Sequence, residues 1–131
     1  MQGLELLVDR SAVIRHVVAE GDTSAAMGTS DVAVLSTPRV ILLAERAVAA
    51  VLEGRIEAGM SAVEHRVEIS HVAPTRVGTP VQAEATLEAV DGRRLVFRVT
   101  VSDERGLVAA GRFTRVVVAT DRFMENAQPS A

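Results

Sequence analysis

The 131-residue chain contains no cysteine, no tryptophan, no tyrosine and no lysine, and its aromatic residues are Phe97, Phe113 and Phe123 alone. Without cysteine there can be no disulfide, no thiolate nucleophile and no cysteine-ligated metal. So few aromatics cannot build stacking platforms for single-stranded nucleic acid or purine cofactors, and a ligand pocket must be lined mainly by aliphatic side chains. All fourteen basic residues are arginine, and the net charge of -3 leaves no basic stripe for a nucleic acid. The longest uninterrupted apolar run is Ala47–Leu52, far short of a membrane span. The opening "MQGLELLVDR" lacks a basic segment followed by an apolar one, so no signal peptide is expected. These absences predict a soluble cytoplasmic protein, with no membrane and no nucleic-acid partner. One domain over 1–131 is long enough to bury a core without disulfides.

What is present is periodicity. "RSAVIRHVVAE", 10–20, reads as a first strand, and small polar residues follow it. "STPRVILLAERA" then starts a helix over 36–53: Ser36 and Thr37 are N-cap types, Pro38 suits the first turn, and Gly54 ends it. Four runs with a period of two fill the second half. In 62–72 the apolar face holds Val63, Val67 and Ile69, with Glu64, Arg66, Glu68 and Ser70 opposite. In 81–90 it holds Val81, Ala83, Ala85, Leu87 and Ala89; in 94–102, Leu95, Phe97, Val99 and Val101. Asp91-Gly92 signals a two-residue hairpin, and "DERG", 103–106, a second turn into a last strand over 107–118. The tail from about residue 125 reads as frayed. Antiparallel strands with one apolar face need one cover, and the helix is the only one available. The predicted class is α+β with the hotdog architecture, a curved antiparallel sheet wrapped on a long central helix. Its remaining apolar surface predicts a homodimer.

Four residues stand out on the core side of this scheme. At 100° per residue Glu45 projects into the arc of Ile41, Val48 and Leu52, near its centre. A carboxylate there is costly and its pKa rises, which suits a general base or nucleophile near neutral pH; the bland alternative is a wide stripe with a wet edge. His71 is in phase with Val63, Val67 and Ile69, and is either an acid/base, a core histidine bonded to a carbonyl, or simply a residue at a strand end. His65 shares its parity and is a rival, but six residues of strand span about 20 Å, so the two cannot share a metal. Thr37 is either a plain helix cap or lies where amide groups and the helix dipole hold an oxyanion. Arg115, in phase with Phe113 and Val117, pairs with a core carboxylate or reaches outward past a bulge.

"STPRVILLAERA" followed by "VEISHVAPTRVGTPVQAEATLEAVDGRRLVFRVTVSDE" and "GRFTRVVVATDRF" resembles the hotdog thioesterases of the fluoroacetyl-CoA thioesterase type. The resemblance covers roughly residues 30–125. It rests on the Thr-Pro helix start, a Glu eight residues after the Thr, and a strand ending in His before a Pro and Gly loop. It implies hydrolysis of a small or medium acyl-CoA, or of an acyl-carrier thioester, by Thr37, Glu45 and His71. No metal is implied, and no cofactor beyond the coenzyme A of the substrate. Glu45 would attack the carbonyl or activate water, His71 would act as acid/base, and Thr37 would position the acyl group or Glu45. Arg115 occupies the family's basic position. Glu64 stands where such proteins often carry a glycine. It is grouped with Arg115 as substrate-binding, although strand parity turns it away from Glu45. Ala44 hints at a roomier pocket. The alternative functions are a non-catalytic hotdog protein binding an acyl thioester or other apolar ligand, and a hydratase, whose short-range Asp-His pair this sequence lacks.

Overall fold

The central helix, α2, runs Thr37–Leu52 in the computed structural model, which describes residues 3–127 and 129. Ser36 is its N-cap, with the hydroxyl accepting from the Arg39 amide at 3.3 Å, and Pro38 sits in the first turn where no N–H is needed. Gly54, at φ 73°, takes the left-handed conformation that stops the helix. Val40, Leu43, Ala44, Ala47, Val48, Val51 and Leu52 are buried. The buried stripe is therefore centred on the Val40, Ala44, Ala47 and Val51 side. Ile41 and Glu45 lie on its rim, not at its centre as the arc of Ile41, Val48 and Leu52 suggested.

The strands are β1 (Ser11–Val17), β2 (Met60–His71), β3 (Pro80–Asp91), β4 (Arg94–Asp103) and β5 (Gly106–Ala119). They form one antiparallel sheet in the order β1-β3-β4-β5-β2. Alternation places Val81, Ala83, Ala85 and Leu87 of β3 and Leu95, Phe97, Val99 and Val101 of β4 against α2, all buried. This is the hotdog arrangement expected from the sequence. The helix lies chiefly over β3 and β1, then β4, and barely touches β2. The inner face of the β5–β2 half is thus the least covered part of the sheet.

Several local features differ from the sequence pattern. The first hairpin closes through Gly92-Arg93, because Asp91 pairs with Arg94; Gly92 supplies the positive φ. A register shift between Leu87 and Ala89 turns Ala89 out and Val90 in. A second shift, between Glu64 and Arg66, leaves His65 without a pairing partner. Two short helices were not foreseen, α1 (Ser24–Met27) and α3 (Thr120–Glu125), nor was the 3-10 turn Leu4–Leu7 that buries Leu4 and Leu7. The tail continues from Asn126 as a turn, and residues 128, 130 and 131 lie outside the described part. No helix among the described residues is long and apolar enough to cross a membrane.

Candidate active site

β2 ends at His71, and the chain leaving it is held to β5 by the Val72 amide donating to the Val108 carbonyl at 2.8 Å. Residues 74–76 then meet the segment entering α2: the Leu35 amide donates to the Thr75 carbonyl at 2.8 Å, and Val34 bridges Arg76. These backbone bonds bring the end of β2 to the start of α2. The Thr37 hydroxyl and His71 Nδ1 lie 2.8 Å apart as a hydrogen-bonded pair. His71 Nε2 is buried and has no partner among the described residues. Burial pushes the imidazole below its ordinary pKa, which the neighbouring Ala73 backbone only partly offsets, so the ring is neutral at physiological pH. Both residues line a groove of about 320 Å³ whose other walls include Ser24, Val32, Val34 and Pro74.

Glu45 stands two turns further along α2, about 12 Å from Thr37 along the axis. It is half-buried on the helix rim that faces the thinly covered part of the sheet. Burial raises its carboxyl pKa, the charge of Glu64 raises it further, and the Arg115 guanidinium pulls it back. Arg115 is itself buried. Its Nη1 donates to the Ala62 carbonyl at 3.4 Å, and its Nη2 to the Glu45 backbone carbonyl at 3.5 Å. Nη2 also lies 3.2 Å from Glu64 Oε1.

Thr37 and His71 thus pair at the start of α2, and Glu45, Glu64 and Arg115 gather about two turns further along it. The parity argument that turned Glu64 away from Glu45 fails here. Glu64 pairs with Arg115 across β2 and β5, and the bulge at His65 reverses the faces on either side of it. Ala62 and Glu64 share the inner face with Val67, Ile69 and His71, while Val63 does not. His65 is the bulged residue and is exposed, so the structure separates it from the Thr37 pair. Ala44 is fully buried, on the stripe of α2 that packs against the sheet.

One cluster went unread in the sequence. The Asp22 carboxylate, 10% exposed, accepts from the Ala19 amide at 2.8 Å, lies 2.7 Å from His16 Nε2, and lies 3.6 Å from Arg39 Nε. It ties β1 and α2 together across a tight turn, and no periodicity announces it. Among the described residues no three His, Asp or Glu side chains gather where a metal could sit.

Residues 18–121 match the family model described as fluoroacetyl-CoA-specific thioesterase. A fluoroacetyl-CoA thioesterase of Streptantibioticus cattleyicolor is 26% identical over 119 residues, 91% of this chain and 83% of that protein. A hot-dog-like protein from Thermanaerovibrio acidaminovorans superposes with a TM-score of 0.88 at 26% identity, covering 97% and 95% of the two chains. A solved mutant of a fluoroacetyl-CoA-specific thioesterase, in complex with fluoroacetate and CoA, gives 0.81 at 26% identity over 88% and 98%. By the extent of the family match and the agreement of fold, the chain belongs to the fluoroacetyl-CoA-specific thioesterase family.

Proposed function

We propose that this protein hydrolyses small or medium acyl-CoA thioesters to the free acid and coenzyme A, with Glu45, His71 and Thr37 as its catalytic residues. The observation that carries the reading is the Thr37–His71 hydrogen bond, which leaves a buried, unpaired His71 Nε2 in the wall of a groove. The family match supplies the chemistry.

The first turn of α2 supports an oxyanion role. Pro38 has no N–H, and Ser36 accepts the Arg39 and Val40 amides, so the Thr37 amide is left to face the carbonyl oxygen. With the Thr37 hydroxyl donating to Nδ1, the ring proton sits on Nε2, placed to donate a hydrogen bond to the departing thiolate. Glu45 leans toward the helix N-terminus, as helical side chains do. Its distance from Thr37 suits a water held between carboxylate and carbonyl. Glu45 takes the proton of that water as its oxygen bonds the carbonyl carbon. The C–S bond then breaks while the neutral His71 ring donates a hydrogen bond from Nε2 to the departing sulfur and keeps its proton; the proton held on Glu45 passes to the sulfur, which restores the carboxylate. Each proton has a donor and an acceptor within the chain, so we infer a reaction without a metal or a resident cofactor. A chelator is expected to leave the rate unchanged.

We further propose a cytoplasmic homodimer. β2 is a twelve-residue strand at the sheet edge, paired only to β5, and Val67 on its inner face is 38% exposed. An edge this long is a template for a second copy, which would also cover the half-buried Glu45. Light scattering should return twice the 13.9 kDa chain mass; the mass of one chain would refute the dimer. The function itself is tested by thiol release across a panel of short, branched and aromatic acyl-CoAs. His71→Ala should cost far more turnover than His65→Ala. Equal losses would mean that His71 acts through packing.

A further inference from the structure

The inner face between α2 and the β5–β2 half holds one buried guanidinium and two carboxylates. The Arg115 side chain is 11% exposed, and a cation so placed must keep a counter-charge. That counter-charge is Glu64, at 3.2 Å; Glu45 offers Arg115 its backbone carbonyl, and its carboxylate is not the ion-pair partner. The bulge at His65 creates this contact, since regular alternation would have turned Glu64 to the outer face. The Glu64 side chain is 52% exposed in the single chain, so it reaches from Arg115 out of the packed layer beside Glu45, on the face that the proposed second copy would adjoin. Arg39 and Arg46 lie on the other flank of α2, around Asp22, and do not enter this balance. With Arg115 neutralised by Glu64 and His71 uncharged, the ionised form of Glu45 leaves the cleft with a net negative charge.

We propose that Glu64 sets the acyl specificity of this enzyme: by occupying Arg115 it closes the cleft to acyl groups ending in a carboxylate and reserves it for neutral acyl chains. This rests on the thioesterase reading above. The arrangement makes Arg115 a latent carboxylate site. A guanidinium recognises carboxylates with paired N–H donors, and Nη2 is now held by Glu64. Removing Glu64 releases that donor and deletes one of the two negative charges an anionic acyl group would meet.

The test compares butyryl-CoA with succinyl-CoA, which have the same carbon count and differ in the terminal carboxylate. kcat/KM is measured for the wild type, Glu64→Gln and Glu64→Ala. The wild type is expected to favour butyryl-CoA by at least about thirtyfold, the order given by a like charge at close range under partial screening. Both variants should cut that preference at least about tenfold, as one such charge is removed. A wild type that takes succinyl-CoA as readily as butyryl-CoA overturns the proposal without needing either variant. Variants that lose both substrates in equal proportion also overturn it, because Glu64 would then be a structural support for Arg115. If no acyl-CoA releases thiol, the hydrolase reading fails separately. The same preference, read as a ratio of dissociation constants by calorimetry, then decides the charge-exclusion proposal: a ratio that falls in the variants sustains it, and an unmoved ratio overturns it.

Discussion

Gly111 lies in the middle of β5, and its missing side chain is what lets β2 approach. A Cβ at this position would sit 1.8 Å from the Glu68 carbonyl oxygen, 2.8 Å from its carbon and 2.9 Å from the Ile69 Cα. All three are backbone atoms, so no rotamer change relieves the clash. For Gly111→Ala the strands must part by roughly 1.2 Å to reach even the closest contact real Cβ atoms make, which stretches a ladder bond of about 2.9 Å beyond useful length. Losing two or three such bonds at about 1 kcal/mol each, with some polar groups left unpaired, costs about 2–4 kcal/mol. β2 is an edge strand, so the damage should concentrate there and spare the α2–β3–β4 core. The assay is urea unfolding followed by far-ultraviolet circular dichroism, since the chain has no tryptophan or tyrosine to report by fluorescence. Hydrogen exchange should locate the loss in residues 60–71, and activity should fall with it because His71 ends that strand. A stability change below about 0.5 kcal/mol, the scale of an ordinary surface substitution, with β2 protection intact would refute the close approach at Gly111.

Thr37→Ala should lower kcat by about ten- to a hundredfold, the rate equivalent of about 1.5–3 kcal/mol for one hydrogen bond to a group that carries charge, while Thr37→Ser retains most of the rate. Neither should disturb the helix start, because Ser36 is the cap; a serine variant as poor as the alanine one would exclude the hydroxyl as the active group. For Asp22, burial raises the pKa, but the Ala19 amide, the His16 bond and charge, and Arg39 together outweigh it, and the net shift is downward. A depressed folded pKa contributes stability that is present above the unfolded value near 3.8 and is lost as pH falls through the folded one. Asp22→Asn should therefore be less stable than the wild type at pH about 7, with the gap closing in strong acid; urea midpoints that differ equally at both pH values would contradict this. The raised pKa of Glu45 places the acid limb of kcat/KM above the ordinary glutamate value of 4.5. Removing the Glu64 charge by Glu64→Gln should move that limb to lower pH, and a limb that stays or rises would show that Glu64 does not act on Glu45.

Much of this was legible in the sequence, because periodicity reports directly which residues meet a sheet or a helix. The helix with its Ser36-Thr37-Pro38 start and the four long strands follow from it, whereas the set of Thr37, Glu45 and His71 comes from the family resemblance and not from periodicity. Bulges are invisible to the same reasoning. One extra residue at His65 reverses every face before it, so Val63 leaves the core and Glu64 enters the site. The helical-wheel arc correctly gathered Ile41, Val48 and Leu52, but angles alone do not say which part of an arc meets the sheet. Glu45 consequently lies on the rim, where a carboxylate can be both half-buried and reachable. The Asp22 cluster joins residues from a strand, a turn and a helix, and only the fold brings them together.

The measurement that bears most directly on the account is thiol release by Glu45→Gln. The chain has no cysteine, so a thiol-reactive chromophore reads coenzyme A without a protein background. Glutamine keeps the shape of the side chain and removes the base. It also removes a carboxylate whose raised pKa makes its ionised form a cost to the folded state above that pKa. The predicted result is a melting temperature equal to or above that of the wild type, acyl-CoA binding retained, and turnover reduced by at least about a hundredfold, within the range for a general base. Near-normal hydrolysis by Glu45→Gln would contradict the account at its centre.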